Sequence, residues 1–68
     1  MNIEAKEVKN LCYAVVESDG ASYSVTEHGG VYYGSFGCGE HVDSDDMSDA
    51  EWFAIQKAGL QLIKEARD

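Results

Sequence analysis

Two turn dipeptides, Asp19-Gly20 and Gly29-Gly30, constrain the fold of this chain more than any other sequence feature. Such pairs favour the tight turn of a β-hairpin, because their residues adopt positive φ angles at little cost. The segments beside the turns are rich in strand-forming residues, and the predicted strands cover residues 11–17, 22–28 and 31–36. The pattern therefore predicts a three-stranded antiparallel β-meander.

A C-terminal helix is the clearest single element. Ser48-Asp-Ala-Glu51 matches the capping box, in which the Ser hydroxyl and the Glu carboxylate each accept a hydrogen bond from a backbone amide. Apolar residues then recur in one helical stripe: Trp52, Ile55, Gly59, Leu62 and Ala66, widened by Phe53, Leu60 and Ile63. We expect a helix over residues 49–66 that packs across one face of the meander.

The N-terminal segment places Ile3, Val8 and Leu11 at spacings that suit one face of a short helix. A regular strand would put Ile3 and Val8 on opposite faces. With 68 residues the chain is near the lower size limit for a self-sufficient core. The expected fold is a single small α+β domain over residues 1–68, with the element order α-β-β-β-α.

The two turns also predict which side chains share a face of the sheet. With a two-residue loop at each turn, one face carries Cys12, Ala14, Val16, Tyr23, Val25, Tyr32, Gly34 and Phe36, and this face lies under the helix. The other face carries Tyr13, Thr26 and Tyr33 in one row. Because one helix cannot cover both faces, this second face packs on the N-terminal segment, pairs in a homodimer or binds a partner.

The acidity of the chain is concentrated in one place. The formal net charge is −8, and residues 40–51 hold no Lys or Arg but six acidic side chains: Glu40, Asp43, Asp45, Asp46, Asp49 and Glu51. Carboxylates at a helix N-terminus are stabilising by roughly 0.3–1 kcal/mol each. That effect accounts for Asp46, Asp49 and Glu51 better than for the three others. The remaining explanation is a patch that binds a basic protein surface.

Metal chemistry is not expected at these acidic residues. Asp43, Asp45 and Asp46 lack the spacing of an EF-hand, because Met47 takes the third ligand position and Ala54 the twelfth. No metal ligand and no cofactor is therefore assigned.

Zinc favours cysteine and histidine ligands, and this chain has Cys12, His28, Cys38 and His41. Cys38-x-x-His41 has plausible knuckle spacing, yet Cys12 is expected inside the core and His28 at a distant turn. As a nucleophile and base, Cys38 and His41 lack an orienting third group. We expect a protein that is not an enzyme.

Charge and hydropathy also restrict location and partners. A charge of −8 repels phosphate, which disfavours direct binding of nucleic acid or of an anionic membrane. No stretch has the roughly 20 apolar residues of a membrane span, and no signal peptide is recognised. With two cysteines in the chain, we expect a cytoplasmic location.

The predicted element order, with Gly37-x-Gly39 before the last helix, resembles the double-stranded-RNA-binding domain. That family binds phosphates through a Lys-rich start of its second helix, where this chain holds Asp43, Asp45, Asp46 and Asp49. The resemblance therefore argues against RNA binding. In size, charge and lack of a catalytic motif, the chain is also similar to small phage-encoded inhibitors of bacterial defence, including anti-CRISPR proteins. Many of these present carboxylates in place of phosphates.

The leading hypothesis is an interaction protein that inhibits or regulates a larger partner by binding its basic surface. The six acidic residues would contact this surface, and Tyr13 and Tyr33 would add apolar area. The alternative is a small homodimer that associates through the second sheet face, its acidic loop serving solubility and helix capping.

Overall fold

The computed structural model describes residues 2–68. It has four strands and a C-terminal helix: β1 (Ile3–Lys9), β2 (Tyr13–Ser18), β3 (Ala21–Thr26), β4 (Val31–Tyr33) and α1 (Asp49–Arg67), with a short 3-10 turn at Ser44–Asp46. The strands form one antiparallel sheet in the order β1-β2-β3-β4. The α+β class and the C-terminal helix are thus confirmed. No helix in the described part of the chain is long and apolar enough to cross a membrane.

The predicted N-terminal helix is wrong, because this segment is strand β1. Its pairing with β2 shifts register between Ala5 and Glu7, which makes Lys6 the extra residue of a β-bulge. Ile3, Ala5 and Val8 consequently share the face that carries Val16 and packs under α1. Because of the bulge, Ala5 and Val8 share a face although they are three residues apart, where a regular strand would need two or four. A spacing of three resembles that of a helix.

The first predicted turn is confirmed. Asp19 and Gly20 have φ angles of 50° and 90° and join β2 to β3. Val16 pairs with Tyr23, as the turn chemistry predicts.

The second turn is longer than predicted, and this changes the faces of β4. The Thr26 amide donates to the Gly30 carbonyl at 2.9 Å, so the loop comprises residues 27–29. Tyr23 then pairs with Tyr33 and not with Phe36, and Val25 pairs with Val31. Because the register differs by an odd number of residues, every β4 side chain moves to the other face.

The core lies between the sheet and α1. Its main cluster of fully buried side chains comprises Val16, Val25, Val31, Val42 and Ile55. The helix lies close against the sheet at Gly59, where an added β-carbon would lie 2.7 and 2.9 Å from the two Val25 methyl carbons. The glycine that makes room for the close packing is therefore in the helix, whereas a β-carbon added at Gly34 would have no neighbour within 4 Å.

The opposite face of the sheet is partly covered by the loop of residues 34–39. The buried Ser24 hydroxyl donates to the Gly34 carbonyl at 2.8 Å and accepts from the Gly37 amide at 3.0 Å. An added β-carbon on Gly37 would lie 2.8 Å from the Tyr13 ring. Phe36, predicted in the core, is 73% exposed and has the Lys9 ammonium 5.6 Å from its ring centre. The second face is thus packed by this loop and not by the N-terminal segment.

Replacing Gly59 with Ala tests the close approach of helix and sheet. Overpacking costs about 1–3 kcal/mol, and the better helix propensity of Ala returns about 1 kcal/mol. We expect urea denaturation to show a net loss of unfolding free energy. In a Val25→Ala background the added methyl has space, so Gly59→Ala should there be neutral or stabilising. Equal effects in the two backgrounds would contradict the packing described.

Candidate protein-binding site

The acidic segment begins on a fixed backbone. The chain returns beside β4, where the Tyr33 amide donates to the Glu40 carbonyl at 2.9 Å and the Val42 amide donates to the Val31 carbonyl at 2.8 Å. Val42 is fully buried, and its carbonyl accepts from the Trp52 indole at 2.8 Å. The carboxylates that flank Val42 are therefore attached to ordered chain.

The 3-10 turn at Ser44–Asp46 positions the carboxylates of Asp43 and Asp46. The Asp43 amide donates to the Asp46 carboxylate at 2.9 Å, and the Asp46 amide donates to the Asp43 carbonyl at 2.9 Å. The His41 Nδ1 lies 3.1 Å from an Asp43 oxygen. Both carboxylates stay exposed, so these contacts fix their direction without burying their charge.

Glu51 differs from the other acidic residues of the segment. The Ser48 hydroxyl caps α1 by accepting from the Glu51 amide at 3.2 Å, which is half of the predicted capping box. The Glu51 carboxylate instead accepts a hydrogen bond of 2.6 Å from the Ser18 hydroxyl, and Ser18 is 2% exposed. The half-buried Glu51 thus joins the helix N-terminus to β2, and it is less available to a partner.

The other five carboxylates form a surface that we name the acidic rim: Glu40, Asp43, Asp45, Asp46 and Asp49, all exposed. In residues 2–68 no Lys or Arg forms an ion pair with the rim. The paired basic residues lie elsewhere, with Lys6 and Lys9 on β1 and Arg67 at the end of α1. Hydrogen bonding to Glu4, with the charge of Glu17 nearby, raises the pKa of Lys6. The charge of the rim is thus not offset by a Lys or Arg of the described residues.

An exposed aromatic residue stands beside the rim. Phe53 is 56% exposed and packs edge-on against Trp52, with ring centres 5.0 Å apart. It lies one helical turn after Asp49, on the same side of α1. The sequence interpretation placed Phe53 in the buried stripe and missed this surface. Its position, about 160° around the helix from Ile55, is the signal that could have found it.

Tyr13 and Tyr33 do not share a surface. Tyr33 lies on the face under α1, at the sheet edge, with its ring centre 5.8 Å from that of Tyr23. Tyr13 lies on the opposite face against Gly37. Burial, with the charge of Glu51 second, raises the pKa of Tyr23. The predicted single row of Tyr13 and Tyr33 is therefore wrong, although the role of each residue in binding stays a prediction.

Two further features of the surface are the cysteines and an open depression near the end of α1. Cys12 and Cys38 are both exposed, so the expected burial of Cys12 is wrong. In residues 2–68 no three His, Cys, Asp or Glu side chains are grouped to hold a metal ion. An open depression of about 360 Å³ at the far end of α1 is lined by Glu27, Leu60, Ile63, Lys64, Arg67 and Asp68.

Comparison with known proteins gives no match: no family model, curated protein or solved structure is similar to this chain. The likeness to the double-stranded-RNA-binding domain rested on the order α-β-β-β-α. The observed order is β-β-β-β-α, because β1 replaces the first helix. Function is therefore inferred from geometry.

A double-mutant cycle tests the link between Ser18 and Glu51. Ser18→Ala leaves a half-buried carboxylate without its donor, and such hydrogen bonds to charged groups contribute about 1.5–3 kcal/mol. We expect urea denaturation to show a loss of that order, and a smaller loss when Glu51→Gln is already present. A coupling free energy near zero would show that the two side chains do not interact in solution.

Proposed function

We propose that this chain is a non-enzymatic interaction protein whose acidic rim binds a basic surface of a larger protein and inhibits or regulates that protein. One observation carries the proposal. The five exposed rim carboxylates form no ion pair with any Lys or Arg of residues 2–68, although Lys6, Lys9 and Arg67 pair with glutamates elsewhere in the chain. An unneutralised patch of one sign accelerates encounter with the opposite sign and disfavours wrong partners.

The anchoring of the rim supports recognition as well as attraction. Glu40 and Val42 are held by backbone hydrogen bonds to β4, and Asp43 and Asp46 are held by the 3-10 turn. Side chains on an ordered backbone lose less conformational entropy on binding than those on a mobile loop. The rim is therefore suited to a partner with Lys and Arg at fixed positions.

Phe53 supplies the apolar part of the proposed interface. Interfaces combine aromatic anchors with a polar surround, and the exposed Phe53 ring stands beside Asp49 at the start of α1. The partner surface that fits is basic with an apolar depression, as found where proteins bind nucleic acid. Occupation of that surface would exclude phosphate, as many of the phage-encoded inhibitors of similar size and charge do.

Neutralising three rim carboxylates tests the proposal. The variant Asp43→Asn, Asp45→Asn, Asp46→Asn keeps an acceptor oxygen at each position, so the 3-10 turn is preserved while three charges are lost. Affinity capture from extracts of the source cells, read by mass spectrometry, should enrich a protein on the wild-type chain that the variant does not retain. The captured protein should also lose nucleic-acid binding when the wild-type chain is added.

The matched control removes three charges elsewhere, through Glu17→Gln, Glu65→Gln and Asp68→Asn. It should capture the same protein as the wild type. If the rim variant and the wild type captured the same protein equally well, the rim would not be the binding site.

Phe53→Ala tests the anchor separately. Because the ring is 56% exposed, its removal should change the unfolding free energy little. It should weaken binding of the captured protein by about tenfold or more, as aromatic anchors do. Unchanged affinity in a calorimetric titration would restrict the interface to the carboxylates.

A further inference from the structure

Strand β1 is the long open edge of the sheet in the part of the chain that the structure describes. The other edge, β4, is occupied by residues 40–42 through the Tyr32–His41 bridge. An edge strand presents unpaired backbone donors and acceptors to any strand that can align with it. β1 is seven residues long, which suffices for such pairing.

We propose that β1 pairs antiparallel with β1 of a second copy, about a two-fold axis between Lys6 and Glu7. In this register Glu4 faces Lys9 of the second copy, Lys6 faces Glu7, and Ala5 faces Val8. Each contact occurs twice by symmetry. The two sheets of four strands become one continuous sheet, with both helices on the same side.

The bulge at Lys6 places these pairs on matching faces. Ala5 and Val8 both lie on the face under α1, so their contact extends the apolar core across the axis. Glu4 and Lys9 lie on the opposite face, where Lys6 also reaches Glu4 at 3.2 Å and Glu17 at 3.7 Å.

Charge selects this register over its neighbours. A slip of two residues in one direction brings Glu4 opposite Glu7, and a slip in the other direction brings Lys6 opposite Lys9. Like charges directly opposite are destabilising, whereas opposite charges stabilise cross-strand pairs. Bulges and lysines commonly protect an edge from indiscriminate pairing. In β1 the order of the two glutamates, the two lysines and the bulge permits one alignment in which two copies have complementary charges.

The charge distribution of the whole chain also favours this edge. Two copies of a chain with net charge −8 repel each other. β1 itself carries two Glu and two Lys, so close approach here adds no net repulsion. Four members of the acidic rim follow β4 at the other edge of the sheet. The proposed dimer therefore leaves the rim open and does not depend on its function.

Sedimentation velocity of the full chain and two charge-reversal variants tests this pairing. The wild type should pass from monomer to dimer as its concentration rises. Glu4→Lys and Lys9→Glu should each weaken dimerisation by about tenfold or more, because each puts like charges opposite one another twice. An equimolar mixture of the two variants should restore the dimer, since every reversed charge then faces an opposite charge.

Lys57→Glu is the matched control, because it gives the same net charge as Lys9→Glu from an exposed position on α1. It should dimerise as the wild type does, and thermal unfolding should show that all variants are folded. A wild type that stays monomeric at every concentration would overturn the proposal, and the bulge would then be edge protection alone. A mixture that stays monomeric would overturn the proposed register.

Discussion

The close approach of α1 to the sheet at Gly59 is the constraint on which the rest of the structure depends. Without a side chain there, the helix backbone lies directly on Val25, and Ile55 is fully enclosed. This contact sets the height of the helix above the sheet. It also sets the position of the helix N-terminus, where the Ser18–Glu51 hydrogen bond forms.

The acidic rim is a consequence of this arrangement. Once α1 is seated, Trp52 donates to the carbonyl of Val42, and Val42 closes the core beside Val31. The chain between Val42 and α1 must then turn back within six residues, 43–48, on the outside of the molecule. Its carboxylates have no basic residue of β1 within reach, so they remain in solvent. The rim carboxylates repel one another, which is unfavourable for folding, yet the backbone holds them in fixed positions. Like charges held in this way are expected of a binding site.

Turn and cap chemistry predicted the parts of the fold that depend on local sequence. Asp19-Gly20 identified one hairpin with its register, and Ser48 identified the start of α1. β1 was missed because the bulge at Lys6 alters its periodicity, and no glycine marks this bulge in the sequence of β1. The β4 register was missed because the glycines at 29 and 30 suit a loop of two or three residues equally well.

The candidate site also has parts that local sequence predicts and parts that depend on strand register. The acidic residues could be predicted from charge alone, since exposed carboxylates in a run need no tertiary information. The hydrogen bond of Glu51 to Ser18 and the separation of Tyr13 from Tyr33 could not, because both depend on the strand register. The exposure of Phe53 could have been predicted by projecting α1 down its axis, because Phe53 lies almost opposite the buried Ile55.

The central claim is that the rim acts through its uncompensated charge, and the salt dependence of association tests it most directly. The association rate of the chain with its captured protein partner should fall steeply as ionic strength rises, because salt screens the attraction between the rim carboxylates and the basic partner surface. The dissociation rate should change much less. An association rate that is the same at low and high salt would contradict the account.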